Sequence, residues 1–167
     1  SDNNRAVREV VTREVANANA VIAGLGEPVE GGSHCLYQGP DLTILNVIWP
    51  PHMTIMPHNH NMWAVIGVYT GREDNILWRR IEAETGRSIE AAGAKSLGTG
   101  EVSPFGRDII HSVTNPTTKY TAGIHVYGGD FYGAHKSEWE PETLVEAPFL
   151  AETARRLFAE ADERARR

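Results

Sequence analysis

The most informative segment of this 167-residue chain is MPHNHNMW, positions 56–63, in which His58 and His60 are separated by one residue. Side chains two apart in a β-strand project from the same face, so both imidazoles would point into one interior. That spacing suits a metal site, but a motif this short also arises by chance. A third histidine, His111, lies in DIIHSV at positions 108–113, whose β-branched residues predict another strand. Three neutral imidazoles would hold a divalent metal and leave coordination positions open for substrates.

The sequence around these histidines is typical of successive strands. Short segments rich in Val, Ile, Trp, Tyr and Thr alternate with Gly, Pro, Asn and Asp. We predict nine strands, at residues 34–38, 42–49, 53–58, 62–69, 75–82, 94–97, 101–103, 109–114 and 120–127. So many short strands favour an antiparallel barrel or sandwich. Between the fourth and fifth of them, we interpret Arg72, Glu73 and Asp74 as a solvated hairpin tip.

Helical patterns bracket the strands. Apolar residues recurring at spacings of three, four and seven predict an N-terminal helix over about residues 1–26. An Ala/Glu/Arg-rich background after Pro141 predicts C-terminal helices over about residues 141–165. The β-barrel would occupy about residues 34–127. Because the chain carries no internal repeat or long linker, we expect a single domain over residues 1–167.

Composition limits the classes of partner. The chain carries 16 Lys+Arg against 22 Asp+Glu, a net charge of −6, which argues against nucleic acid or an anionic membrane surface as partner. It has no apolar run near the ~20 residues that span a bilayer, so we predict a cytoplasmic protein that acts on a small molecule. The single cysteine, Cys35, excludes an intrachain disulfide and a cysteine-ligated zinc site. We expect it to be a buried, small apolar residue.

These residues together resemble the two motifs of the cupin superfamily. The first motif is matched by His58, His60 and Gly71, and the second by Gly98, Pro104, Gly106, His111 and Asn115. His52 stands where the first motif has a glycine, and its glutamate ligand is missing at Ala64 or Val65. The resemblance implies a mostly β fold, the cupin double-stranded β-helix, which is a small antiparallel barrel, with N-terminal and C-terminal α-helices.

Because that glutamate is missing, this chain is similar to one branch of the cupins, the thiol dioxygenases. They include cysteine dioxygenase and 3-mercaptopropionate dioxygenase and carry a three-histidine iron site. Their Ser-x-His-x-Tyr segment is matched by GIHVY at positions 123–127, with Gly123 in place of the serine. The resemblance implies that His58, His60 and His111 bind one Fe²⁺ per chain. It also implies that Tyr127 hydrogen-bonds oxygen or substrate and that His125 hydrogen-bonds Tyr127.

Three further positions distinguish this chain from cysteine dioxygenase. Val65 stands where the animal enzymes carry the cysteine that crosslinks to their tyrosine, so Tyr127 should be uncrosslinked. No arginine before the first motif matches the one that binds the carboxylate of cysteine. Lys136, nine residues after Tyr127, replaces the arginine with which 3-mercaptopropionate dioxygenases bind the substrate carboxylate. Lysine keeps the charge but loses the bidentate fork, so Lys136 is a candidate substrate contact with altered geometry.

The sequence therefore predicts an iron(II)-dependent thiol dioxygenase that oxidises a small organic thiol to its sulfinate with O₂. One alternative keeps the three-histidine iron and cleaves a chelating carbon acid such as a diketone. Another is a cupin module that binds a metal and a ligand without turnover, because fold alone does not decide function. The sequence is also compatible with a homo-oligomer. His34, His52 and His135 have no motif support and are expected at the surface.

Overall fold

The computed structural model describes residues 2–82, 86 and 88–167. Its helices are α1 (Asp2–Val15), α2 (Ala18–Leu25) and α3 (Ala151–Ala165). Its strands are β1 (Gly32–Gln38), β2 (Thr43–Trp49), β3 (Thr54–Asn59), β4 (Ala64–Thr70), β5 (Arg72–Arg80), β6 (Ile89–Gly98), β7 (Val102–Phe105), β8 (Ile110–Thr114), β9 (Thr121–Tyr127), β10 (Ser137–Trp139) and β11 (Glu146–Pro148). No helix within the described residues is both long and apolar enough to span a membrane.

The strands form two antiparallel sheets. One has the order β1-β2-β9-β4-β7 and the other β11-β10-β3-β8-β5-β6. Alternation directs one set of side chains into the main core, whose members include Leu45, Met53, Ile66, Val68 and Leu97. The other face of the five-stranded sheet packs against α1, where Val11 and Val15 join a second core cluster with Val65 and Tyr69. The apolar stripe predicted at the N-terminus therefore covers the outside of the sheet.

All nine predicted strands are present, but the predicted N-terminal helix is divided into two, and the predicted C-terminal helical region begins too early. The N-terminal helix is interrupted at residues 16–17, because the side chain of Asn17 accepts a hydrogen bond from the amide of Ala20 and so begins α2 as a new helix. Helix α3 begins only at Ala151. Before it, β11 pairs with β10, and Pro148 disfavours the helical conformation at Ala147.

Gly71 turns the chain from one sheet into the other. Strands β4 and β5 are separated by this residue alone, yet β4 pairs with β9 and β7, whereas β5 pairs with β6 and β8. The φ of Gly71 is 88°, and a Cβ there would clash with Thr121, so only glycine fits. The hairpin tip predicted at residues 72–74 is therefore wrong. Glu73 is the second residue of β5 and its side chain is 0% exposed.

Candidate metal centre

The structure brings the three predicted metal ligands together. Strands β3 and β8 pair with His58 directly opposite His111, and His60 lies just beyond the end of β3. The centroids of the His58 and His111 rings are 4.6 Å apart, those of His58 and His60 5.3 Å, and those of His60 and His111 4.9 Å. One ring nitrogen of each lies within 4.8 Å of the others. Among the described residues, this is the one group of His, Cys, Asp or Glu side chains that could hold a metal ion.

Hydrogen bonds leave a lone pair on each of two rings for a metal. Nδ1 of His58 donates to the carbonyl of Met56 at 2.9 Å, and Nδ1 of His111 donates to Oδ1 of Asn75 at 2.7 Å. In both rings Nε2 is then the unprotonated nitrogen. Nε2 of His60 lies 3.0 Å from Nε2 of His111. Two ligands at right angles, each about 2.1 Å from one ion, would be about 3.0 Å apart. The donor set therefore fits a divalent metal.

Burial keeps these imidazoles neutral. Removal from water lowers the pKa of His58 to about 4 and holds the pKa values of His60 and His111 well below their usual range. Neutral imidazoles are the form that binds a metal. Nδ1 of His60 is the one buried side-chain polar atom among the described residues that has no hydrogen-bond partner. Buried polar atoms without a partner are uncommon in native structures, and this one belongs to the histidine cluster.

The two positions expected for a glutamate ligand face opposite sides of β4. Ala64 belongs to the barrel core and is paired with Tyr127 on β9, whereas Val65 packs in the cluster beneath α1. Neither side chain can ligate a metal, so within the described part of the chain the group that could hold one consists of the three histidines alone. Val65 also faces away from Tyr127, so the residue that excludes a crosslink is Ala64 rather than Val65. The single cysteine, Cys35, is exposed on the edge strand β1 rather than buried as expected.

Tyr127 lies beside the histidine cluster and is hydrogen-bonded to His125 as the resemblance implied. Its ring centroid is 5.0 Å from that of His60, and its hydroxyl is 3.1 Å from Nδ1 of His125. Burial raises the pKa of Tyr127 far above its usual value, so the phenol keeps its proton. The other ring nitrogen of His125, Nε2, is 3.2 Å from Oε2 of Glu73. This contact was not predicted from the sequence.

The missed residues Glu73 and Asn75 carry one recognisable signal. After the sheet change at Gly71, strict alternation places Glu73, Asn75 and Leu77 on one side of β5, where the first two are buried. Polar residues on the inward side of a strand are uncommon unless they have partners. That alternation is visible in the sequence only if β5 is started at Arg72 rather than at Asn75.

The remaining histidines have no place in the site. His34, His52 and His135 are all exposed, as predicted. The backbone of His52 has a φ of 58°, in the left-handed region that glycine favours. This explains why the cupin motif has a glycine at that position.

The cluster opens onto a cavity of about 540 Å³ whose wall includes His58, His111, His125 and Tyr127. Residues of α3, among them Arg155 and Phe158, line another part of it, and Trp49 stacks on Phe158. Strands of the barrel and helix α3 therefore both contribute to the wall of the cavity.

Lys136 also lies in the cavity wall, where a substrate contact was predicted. Its Nζ donates to the carbonyl of Phe131 at 2.5 Å and lies 3.6 Å from the centroid of the Phe131 ring and 5.2 Å from that of Phe149. Burial lowers the pKa of Lys136 to about 8. Among the described residues, no carboxylate forms a salt bridge with it. The ammonium group is thus a positive charge held in place by aromatic faces.

Comparison with known proteins identifies the fold. No protein-family model matches the chain. A double-stranded β-helix protein from Klebsiella pneumoniae is 14% identical with a TM-score of 0.51, over 68% of this chain and 88% of that one. An RmlC-like cupin from Methanocaldococcus jannaschii is 10% identical with a TM-score of 0.50, over 62% and 84%. The DMSP lyase DddQ from Ruegeria pomeroyi is 15% identical with a TM-score of 0.52, over 68% of this chain and 53% of that one. The chain therefore has the cupin double-stranded β-helix fold that its two motifs predicted.

Proposed function

We propose that this protein is an iron(II)-dependent dioxygenase that oxidises a small anionic thiol to its sulfinate. One observation carries the proposal: three neutral imidazoles, with no carboxylate among them, meet beside a cavity that a buried tyrosine also lines. His58, His60 and His111 would hold the metal. Because all three are neutral, they leave its full positive charge to act on a substrate.

Ferrous iron, when bound there, supplies the positive charge that favours a thiolate over a thiol and the redox chemistry of dioxygen. The overall reaction balances without another reductant. One thiol and one O₂ give one sulfinic acid, and both oxygen atoms pass to sulfur. The chain itself then has to bind the thiol, orient it and keep bulk water away.

Lys136 is the residue that would bind an anionic group of the substrate. With a pKa of about 8 it is mostly protonated at neutral pH, and the aromatic rings around it lower the local polarity. A charge in such surroundings interacts more strongly than one at the surface. The cavity therefore suits a short thiol that carries a carboxylate at its other end.

Tyr127 and His125 would orient the reacting group. Tyr127 keeps its proton, and its hydroxyl is fixed by His125 at 3.1 Å rather than free to rotate. A hydroxyl held in this way aligns a substrate at lower entropic cost than a mobile one.

The test begins with loading the full chain with Fe²⁺ under anaerobic conditions and measuring its metal content. Oxygen uptake is then measured after a thiol and O₂ are added. We expect 3-mercaptopropionate to be oxidised faster at low concentration than cysteamine, a matched control that lacks the carboxylate. Product analysis should find the sulfinate. If no thiol caused oxygen consumption, the result would contradict the proposal. Consumption with acetylacetone instead would favour diketone cleavage, and metal binding without turnover would favour a binding module.

A further inference from the structure

Glu73 is a buried carboxylate outside the histidine cluster. It contacts His125 and also Asn75, the hydrogen-bond partner of His111. Its Oε2 lies 3.1 Å from Nε1 of Trp49 and 3.2 Å from Nε2 of His125, and its Oε1 lies 3.3 Å from Nδ2 of Asn75. The side chain is 0% exposed, so water satisfies none of its lone pairs. A buried carboxylate is retained only where surrounding donors compensate for the lost water.

The carboxylate decides where the proton of His125 lies. An ionised carboxylate only accepts hydrogen bonds, so every atom that faces it must be a donor. The indole of Trp49 meets this condition in any state, but His125 meets it only when Nε2 carries the proton. When that is the only proton on the ring, Nδ1 holds a lone pair and accepts a hydrogen bond from the hydroxyl of Tyr127.

The metal ligand His111 is constrained in the same way, through Asn75. Because Oε1 of Glu73 accepts, the amide of Asn75 must turn its NH₂ group towards Glu73 and its oxygen towards His111. The Nδ1 of His111 must therefore be the protonated nitrogen. Its Nε2, which faces His60 at 3.0 Å, is left with the lone pair that a metal requires.

Gly123 lies beside the same ring nitrogen of His125. A Cβ added at Gly123 would lie 3.6 Å from Nε2 of His125, so a serine at this position would sit beside the nitrogen that Glu73 now contacts. The chain lacks that hydroxyl and has a carboxylate from β5 at the same ring nitrogen.

We propose that Glu73 is a positioning residue that fixes a proton on Nε2 of His125 and, through Asn75, the proton of His111 on Nδ1. Glu73 thereby aims the hydroxyl of Tyr127 at His125 and prepares His111 for the metal. This inference deepens the proposed function, because it assumes that Tyr127 and His111 serve the reacting thiol. The protonation pattern can be measured whether or not a thiol is oxidised.

The first test is ¹⁵N NMR of the full chain labelled at histidine and treated with chelator, so that no paramagnetic metal broadens the signals. We expect His125 as the Nε2–H tautomer and His111 as the Nδ1–H tautomer. Glu73→Gln should change the signals of at least one of these rings, whereas Glu101→Gln, at an exposed glutamate, should change neither. Any other protonation of either ring in the wild type, or spectra unaltered by Glu73→Gln, would overturn the inference.

The second test restores the hydrogen bonds with a different arrangement. Glu73→Gln introduces a donor that conflicts with the donors around it, and we expect Zn²⁺ affinity to fall about 10- to 100-fold, as for other groups that hold a metal-binding histidine. Adding Asn75→Asp gives the amide introduced by Glu73→Gln an acceptor and gives His111 a new carboxylate partner. The double variant should therefore recover Zn²⁺ affinity and the wild-type tautomers. If the single variant does not fold, the double variant still decides. A folded double variant that binds Zn²⁺ as weakly as the single variant would contradict the proposed path through Asn75.

Discussion

Two carboxylates are buried in different parts of the molecule, and they do different things. Glu73, on β5 beside His125, accepts hydrogen bonds from three side chains, two of which contact other residues of the site. Asp162, on α3, accepts from the backbone amide of Gly31 at 2.9 Å and from the hydroxyl of Tyr120 at 2.8 Å. The first orders reactive groups, and the second ties a helix to the barrel. Burial of a charge therefore indicates importance, and only its partners indicate whether the role is chemical or structural.

Removing one of the proposed metal ligands should have the largest effect, which we expect on metal binding and on turnover. We expect His60→Ala to weaken Fe²⁺ binding by more than about 100-fold, beyond the range for groups that only support a ligand, and to abolish turnover. Metal analysis after dialysis and oxygen uptake measure the two effects. His34→Ala, at an exposed histidine on β1, should leave both unchanged. A His60→Ala protein with full metal content would exclude the proposed ligand set.

The next largest effect should come from removing one hydroxyl beside the cluster. Tyr127→Phe keeps the ring but removes the hydroxyl that His125 holds, and we expect kcat to fall by about 100-fold, because a group that orients the substrate is lost. Metal content should stay at the wild-type level. Tyr37→Phe, at a tyrosine that is 51% exposed, is the control. An unchanged kcat in Tyr127→Phe would remove Tyr127 from the mechanism.

Lys136 should affect substrate affinity rather than turnover. Lys136→Met is expected to raise KM for 3-mercaptopropionate about tenfold and to leave KM for cysteamine unaltered, because one hydrogen bond to a charged group is lost. Lys95→Met, at an exposed lysine, is the control. Equal changes in KM for both thiols would refute the assigned carboxylate contact.

The pH dependence gives an independent measure of the same contact. Since burial lowers the pKa of Lys136 to about 8, its positive charge is present below that pH and is lost as the pH rises through it. We therefore expect KM for 3-mercaptopropionate to increase above about pH 8. Lys136→Arg keeps its charge at higher pH, so the ratio of the two KM values cancels the titration of the substrate thiol. A ratio that does not vary with pH would contradict this role.

The smallest effect on activity should come from Asp162, which tests the structural side of the contrast. Asp162→Asn removes the charge and turns an NH₂ group towards the amide of Gly31, which now lies 3.1 Å from Oδ2, and we expect the free energy of unfolding to fall by about 1–3 kcal/mol. Urea denaturation measures this, with Asp41→Asn, at an exposed aspartate, as control. Metal content and kcat should stay near wild-type values. A loss of metal with unchanged stability would show that the two carboxylates are not separable in this way.

Much of the fold could be predicted because it depends on local patterns. Alternation and turn residues located nine strands, and the helical periodicity located apolar faces at both ends. The errors arose where a tertiary contact overrides a local preference. Residues of β11 have the composition of a helix but pair with β10 as a strand. Asn17 caps a new helix and so divides an apolar stripe that is continuous in the sequence.

The sequence by itself determined that His58 and His60 share a face, since a strand repeats every two residues, and that no glutamate stands at the cupin ligand position. Tertiary structure decided the rest of the site. The register of β3 against β8 sets His58 opposite His111, and the turn at Gly71 places β5 in the sheet opposite β9, so that Glu73 meets His125. Contacts between strands distant in the chain depend on pairing and register, which no local period encodes.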